Sequence, residues 1–151
     1  MLIRASGLAD VDLKSFQDDF DLDKNLGPGD VPRNNFDSVA SAVQSRYPSI
    51  CFRRQAFPQG RGADKLAFIE SSLAMSRPVL VSLSLQGAGL GMGWHIMLAI
   101  GDTDDDVLLL NGMRPDGKGV VLRVPKSELV RIHDHFPGGD DVAFLDHTRR
   151  D

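Results

Sequence analysis

Trp94-His95-Ile96-Met97-Leu98-Ala99-Ile100-Gly101-Asp102-Thr103-Asp104-Asp105-Asp106-Val107-Leu108-Leu109-Leu110-Asn111 is the stretch on which the fold turns. Two apolar runs, 94–100 and 107–110, flank a short acidic segment, the pattern of two strands joined by a turn. A turn centred near residues 103–104 folds them into an antiparallel hairpin. It sets His95 opposite Asn111, or one place off, at the open end. Opposed residues there have Cβ atoms roughly 4.5–5.5 Å apart. An asparagine at that distance can accept from one imidazole nitrogen and fix the ring's tautomer, which leaves the other nitrogen as a base. The plainer alternative is a histidine and an asparagine that end two edge-exposed strands and do no chemistry. The context of His95, after a glycine-rich loop and an aromatic residue, is that of a cleft-lining position.

Outward from the hairpin, Val79–Leu85, Val120–Val124 and Val142–Leu145 read as further strands, with a short helix around Ser127–Ile132 between the last two. Upstream the periodicity changes to helical. Leu66, Ile69 and Leu73 share one face of a helix expected from Asp64, a plausible N-cap, to about Ser76, with Pro78 ending it. A second helix is expected over 35–46, with Phe36, Val39, Val43 and Tyr47 on one stripe, Asn34 or Asn35 as cap and Pro48 as stop. A third is expected over 10–20, with Leu13, Phe16 and Phe20 on one face before the Gly27-Pro28-Gly29 break. Ile50-Cys51-Phe52-Arg53 reads as a short strand and Pro58–Gly62 as a loop. Helices first and consecutive strands after predict an α+β fold, N-terminal helices packed on a C-terminal antiparallel sheet.

Two motif-like stretches fail the chemistry they suggest. The glycines at 87, 89, 91 and 93 lack the G-x-G-x-x-G spacing, and the strand pattern of Trp94–Ile100 follows them instead of a helix N-terminus that would hold a phosphate. They read as a hairpin loop beside a cleft. Asp102–Asp106 starts like a calcium loop, but its sixth and twelfth positions are Val107 and Met113, not Gly and Glu. His133-Asp134-His135, with His147 considered as a third ligand, brings both imidazoles to one side only if the segment is extended, so a surface segment is expected and no metal or cofactor.

Composition narrows the classes. With 42% hydrophobic residues over 151 positions the chain can form a core, which excludes disorder of the whole chain. A net charge of −4 argues against binding nucleic acid by phosphate neutralisation. The acidic excess lies in residues 1–37, which hold eight acids against four bases. Residues 1–30 are therefore set apart as an acidic N-terminal segment and 31–151 as the domain. Such an acidic run is ordinarily a solvated surface, with recognition of a basic partner as the functional alternative. No apolar run approaches the 18 or so residues of a membrane span. The first residues, Met1-Leu-Ile-Arg-Ala-Ser6, carry no sustained apolar region before Asp10, so a cytoplasmic chain is the expectation, with an internal start at Met1 as the alternative. The single cysteine, Cys51, forms no intramolecular disulfide and no multi-cysteine zinc site.

From Leu66 to Leu145, about half the chain, the order of features resembles the C-terminal two-thirds of a papain-like cysteine peptidase domain. The resemblance is greatest to bacterial bacteriocin-processing peptidases and their relatives. It rests on Arg77-Pro-Val-Leu-Val81, Gly93-Trp-His95, the acidic turn Asp102–Asp106 and Val107-Leu-Leu-Leu-Asn111. Gly117, Gly119 and Ser127-Glu-Leu129 complete it. The resemblance implies His95 as general base and Asn111 as its orienting partner. It also implies a nucleophilic cysteine upstream at the start of a long helix, with a glutamine a few residues before it for the oxyanion. Trp94 is read apart from the resemblance, as a wall of the cleft or as core packing, and with Gly93 it is the candidate substrate-binding pair. The chain departs from that pattern. Residues 1–46 contain no cysteine, and the family's Asp-Pro after the second strand is Asn111-Gly112 here. Cys51 precedes His95 and Asn111 in the right chain order. However, it sits in a strand-like run, where a structural role fits better than that of a thiolate nucleophile.

The expectation is a papain-like domain that keeps a His95/Asn111 pair without a recognisable nucleophile and is inactive as it stands. A clipped active peptidase, which a Gln and Cys-Gly upstream of Met1 would reveal, and a non-catalytic peptide- or protein-binding module are the alternatives. A groove left open by a missing helix would favour a homodimer or a partner chain.

Overall fold

The computed structural model describes residues 2–7, 36–111 and 120–147. In chain order the elements are α1 (Leu2–Ser6), α2 (Phe36–Arg46), β1 (Ile50–Ala56), α3 (Gly62–Ala74), β2 (Val79–Ser84), β3 (Trp94–Asp102), β4 (Asp106–Asn111), β5 (Val120–Pro125), α4 (Lys126–His135) and β6 (Asp141–His147). The strands form one antiparallel sheet in the order β1-β6-β2-β3-β4-β5. The fold is α+β, as the pattern predicts. The expected helix over 10–20, the Gly27–Gly29 break, most of the acidic segment and the 112–119 turn lie outside the described residues.

Alternation along the strands sorts the core into two layers. Val79, Val81 and Leu83 of β2, Met97 and Ala99 of β3, Val107 and Leu109 of β4, and Val142 and Phe144 of β6 pack with Ile69 of α3 and Leu129 of α4. Leu98 and Leu145 point the other way and pack with Leu2 of α1, Val43 of α2 and Ile50. The helices therefore cover both faces, and α4, late in the chain, shares a layer with α3. β2 is a central strand buried on both sides, so even its two serines, Ser82 and Ser84, are buried. Each fully buried Val, Leu or Ile contributes about 1.5–3 kcal/mol.

The element ends correct several expectations. α3 begins at Gly62 with Arg61 at the N-cap position, and Asp64 lies inside the first turn, accepting from the Arg61 guanidinium. The backbone N–H of Gly62 instead donates to Asp134 Oδ1 of α4 at 2.6 Å, a cap supplied from 72 residues away. A side chain at 62 would meet that carboxylate at 2.7 Å and the Val130 carbonyl at 2.8 Å, which fits the glycine there. α4 continues beyond Ile132 to His135, so His133 and His135 are on a helix and not in an extended segment. His133 is buried, with Nε2 donating to the Pro58 carbonyl at 3.0 Å, while His135 is exposed. Among the described residues no helix is long and apolar enough to cross a membrane.

Candidate functional site

One row crosses the whole sheet through paired residues: Arg53, Phe144, Val79, Ala99, Leu109 and Leu122. His95 lies four residues from this row toward one end of the sheet. Three loops meet there: 57–61 after β1, 85–93 between β2 and β3, and 136–140 between α4 and β6.

The β3–β4 hairpin pairs Asp102 with Val107 and Gly101 with Leu108, then slips by one residue so that Ala99 faces Leu109 and Leu98 faces Leu110. This bulge at Ile100 changes the expected register. Continued to the open end, it sets Asn111 opposite Met97, and His95 is then a diagonal neighbour two positions on, on the same face. Diagonal pairs have Cα atoms roughly 7–8 Å apart, within reach of an imidazole and an amide. The side chains meet: His95 Nε2 and Asn111 Oδ1 are 3.1 Å apart in a half-buried setting. The amide oxygen can only accept, so Nε2 carries the proton and Nδ1 is the basic nitrogen of the neutral ring.

Trp94 and Gly93 precede His95 directly, and Trp94 is 56% exposed. The loop that leads to them is anchored on α4 at its root and closed at its tip by its own backbone hydrogen bonds, among them Leu90 N–H to the Leu85 carbonyl at 2.9 Å. Arg131 of α4 donates to the Gly87 carbonyl at 2.9 Å and pairs with Glu128. A Cβ at Gly87 would fall 2.7 Å from Ile132 and 2.9 Å from Phe136, so the backbone lies directly on α4. At the tip, Leu90 and Met92 are exposed, and Gly89, Gly91 and Gly93 take positive φ, each with open space where a Cβ would stand. A hollow of about 330 Å³ lined by Leu73, Ser76, Pro78 and Ile100 lies at the Ile100 end of β3, away from His95.

Cys51 is on β1 opposite Asp146, beyond the cross-sheet row on the side away from His95. Three strand spacings across and six residues along separate the two, roughly 14 Å by 20 Å. No side-chain rotation bridges that, so Cys51 does not serve this imidazole in the same chain. Cys51→Ser is expected to move stability by less than about 1 kcal/mol, as read by denaturant unfolding, because the thiol is only half-buried on an edge strand.

Lys65 stands outside the residues that the sequence pattern singles out. It is fully buried in α3, and its Nζ donates to the Ser82 carbonyl at 2.6 Å and to the Gly139 carbonyl. Burial lowers its pKa to about 8, against the opposing pull of Asp140 and Asp141. The signal was present in the spacing, because Lys65, Ile69 and Ser72 recur at helical intervals along one buried stripe. Among the described residues no three His, Cys, Asp or Glu side chains gather as metal ligands. No protein-family model and no curated protein matches the chain.

Proposed function

We propose that this chain is a papain-like, cysteine-peptidase-related domain that keeps the base half of the apparatus and acts as a peptide- or protein-binding module. The supporting observation is the His95–Asn111 contact at 3.1 Å, with Nδ1 left as the basic nitrogen of an oriented ring. In a thiol peptidase such a ring takes the proton of a cysteine held beside it, and the thiolate attacks the peptide carbonyl. Here the sequence has one cysteine, and it lies at the far end of the sheet. Two features favour binding: an exposed indole next to the imidazole, and an apolar loop tip carrying Leu90 and Met92.

The test is hydrolysis of a panel of fluorogenic peptides by the chain, with and without iodoacetamide, alongside Cys51→Ser. No iodoacetamide-sensitive turnover is expected. Turnover that iodoacetamide and Cys51→Ser both abolish would overturn the reading.

A further inference from the structure

Lys65 is a charged side chain with no exposure at all, at the end of the sheet that holds His95. Taking an ammonium out of water is costly unless its protons are matched by acceptors. The two carbonyls that match it belong to different elements: Ser82 in β2 and Gly139 in the turn between α4 and β6. The lysine thus ties α3 to a strand and to a turn at once.

That turn lies flat on β2. A Cβ on Gly139 would come within 2.9 Å of the backbone of Leu83 and Ser84. Leu83 and Ser84 are paired with His95 and Trp94. The preceding glycine, Gly138, faces the indole, and a Cβ there would be 3.8 Å from Trp94 Cδ1. A line of close approach therefore runs from Lys65 through the Gly138–Gly139 turn to Trp94, whose neighbour is His95.

We propose that Lys65 is a positioning residue: by holding the Gly138–Gly139 turn down on β2, it fixes the indole of Trp94 and so the wall beside His95. The lowered pKa agrees with this placement, since it reflects the same burial. Describing Trp94 as the wall of a binding site rests on the proposed function. The positional link does not, so a failed peptide assay leaves it standing.

The chain contains a single tryptophan, so its ¹H–¹⁵N spectrum carries one indole resonance. Lys65→Met keeps the length of the stem and removes the donors. It is expected to shift or double that resonance and to raise quenching of Trp94 fluorescence by acrylamide. Leu98→Ala, a core change on the opposite face, is the control, expected to lower the unfolding temperature while leaving the indole at its wild-type position. In the wild type, nuclear Overhauser contacts are expected between Lys65 Hε and Gly139 Hα and between Gly138 Hα and the Trp94 ring, whether or not the variant folds. An unmoved indole in folded Lys65→Met, an equal movement in Leu98→Ala, or absence of the wild-type contacts would each overturn the proposal.

Discussion

Gly139→Ala is expected to lower stability by about 3–4 kcal/mol, read as a fall of roughly 10 °C in the unfolding midpoint. Two costs add. Gly139 has φ +87°, in the left-handed half of backbone space where a Cβ is strained by about 1–2 kcal/mol. The new methyl would also sit 2.9 Å from the Cα and carbonyl carbon of Leu83 and from the amide nitrogen of Ser84. Those are backbone atoms of a buried strand and cannot swing aside as a side-chain tip can. The neighbouring Gly138→Ala separates the two terms. It has nearly the same φ, +85°, but its methyl would touch only the Trp94 side chain at 3.8 Å and beyond. It should therefore cost only the conformational part, about 1–2 kcal/mol. Denaturant unfolding of both variants gives the contact term as their difference. Equal losses would mean that the turn does not lie on β2.

Stability is expected to rise with pH between about 8 and 10.5, the range between the lowered pKa of Lys65 in the folded chain and its ordinary value. Below that range both folded and unfolded chains hold the proton, and the folded chain bears the full cost of a buried charge. Within it the unfolded chain binds more protons than the folded one, so raising the pH favours folding, and above it neither holds the proton. The gain from this one group is on the order of 3 kcal/mol. It is lost again as pH falls from 10.5 to 8, and little of it remains at the folded-state value. Lys65→Met should remove this contribution, so the difference between the two unfolding curves against pH isolates the lysine. A wild-type minus Lys65→Met difference that does not change across the window would mean that Lys65 is solvated.

Much of the sheet was legible because its rules are local. The apolar runs of β3 and β4, with the acidic Asp102–Asp106 turn between them, place the hairpin without reference to the rest of the chain. What escaped was set by distant partners. α3 starts two residues before Asp64 because Asp134, far along the chain, supplies its cap. α4 runs through His133 because that imidazole turns inward to the Pro58 carbonyl, which no local pattern announces. β1 extends past Arg53 to Ala56 because β6 pairs with it to the end, although its outer residues are polar and exposed as an edge strand's commonly are.

The site divides in the same way. That His95 and Asn111 would come together was legible from their places on a hairpin. The bulge that makes them diagonal neighbours was not, since it adds one residue, Ile100, to β3 without a glycine or proline at that position to mark it. The remoteness of Cys51 depended on strand order, with β6 and β2 between β1 and β3. Chain order, Cys51 then His95 then Asn111, was compatible with a triad; sheet order is not.

Peptide binding beside His95 is read most directly by a ¹H–¹⁵N titration of the full chain with a pooled set of short blocked peptides. The predicted result is saturable shifts at the Trp94 indole, the His95 ring and the 88–93 loop, with Cys51 and its neighbours on β1 unmoved. Shifts centred on β1, or none at any residue near His95, would contradict it.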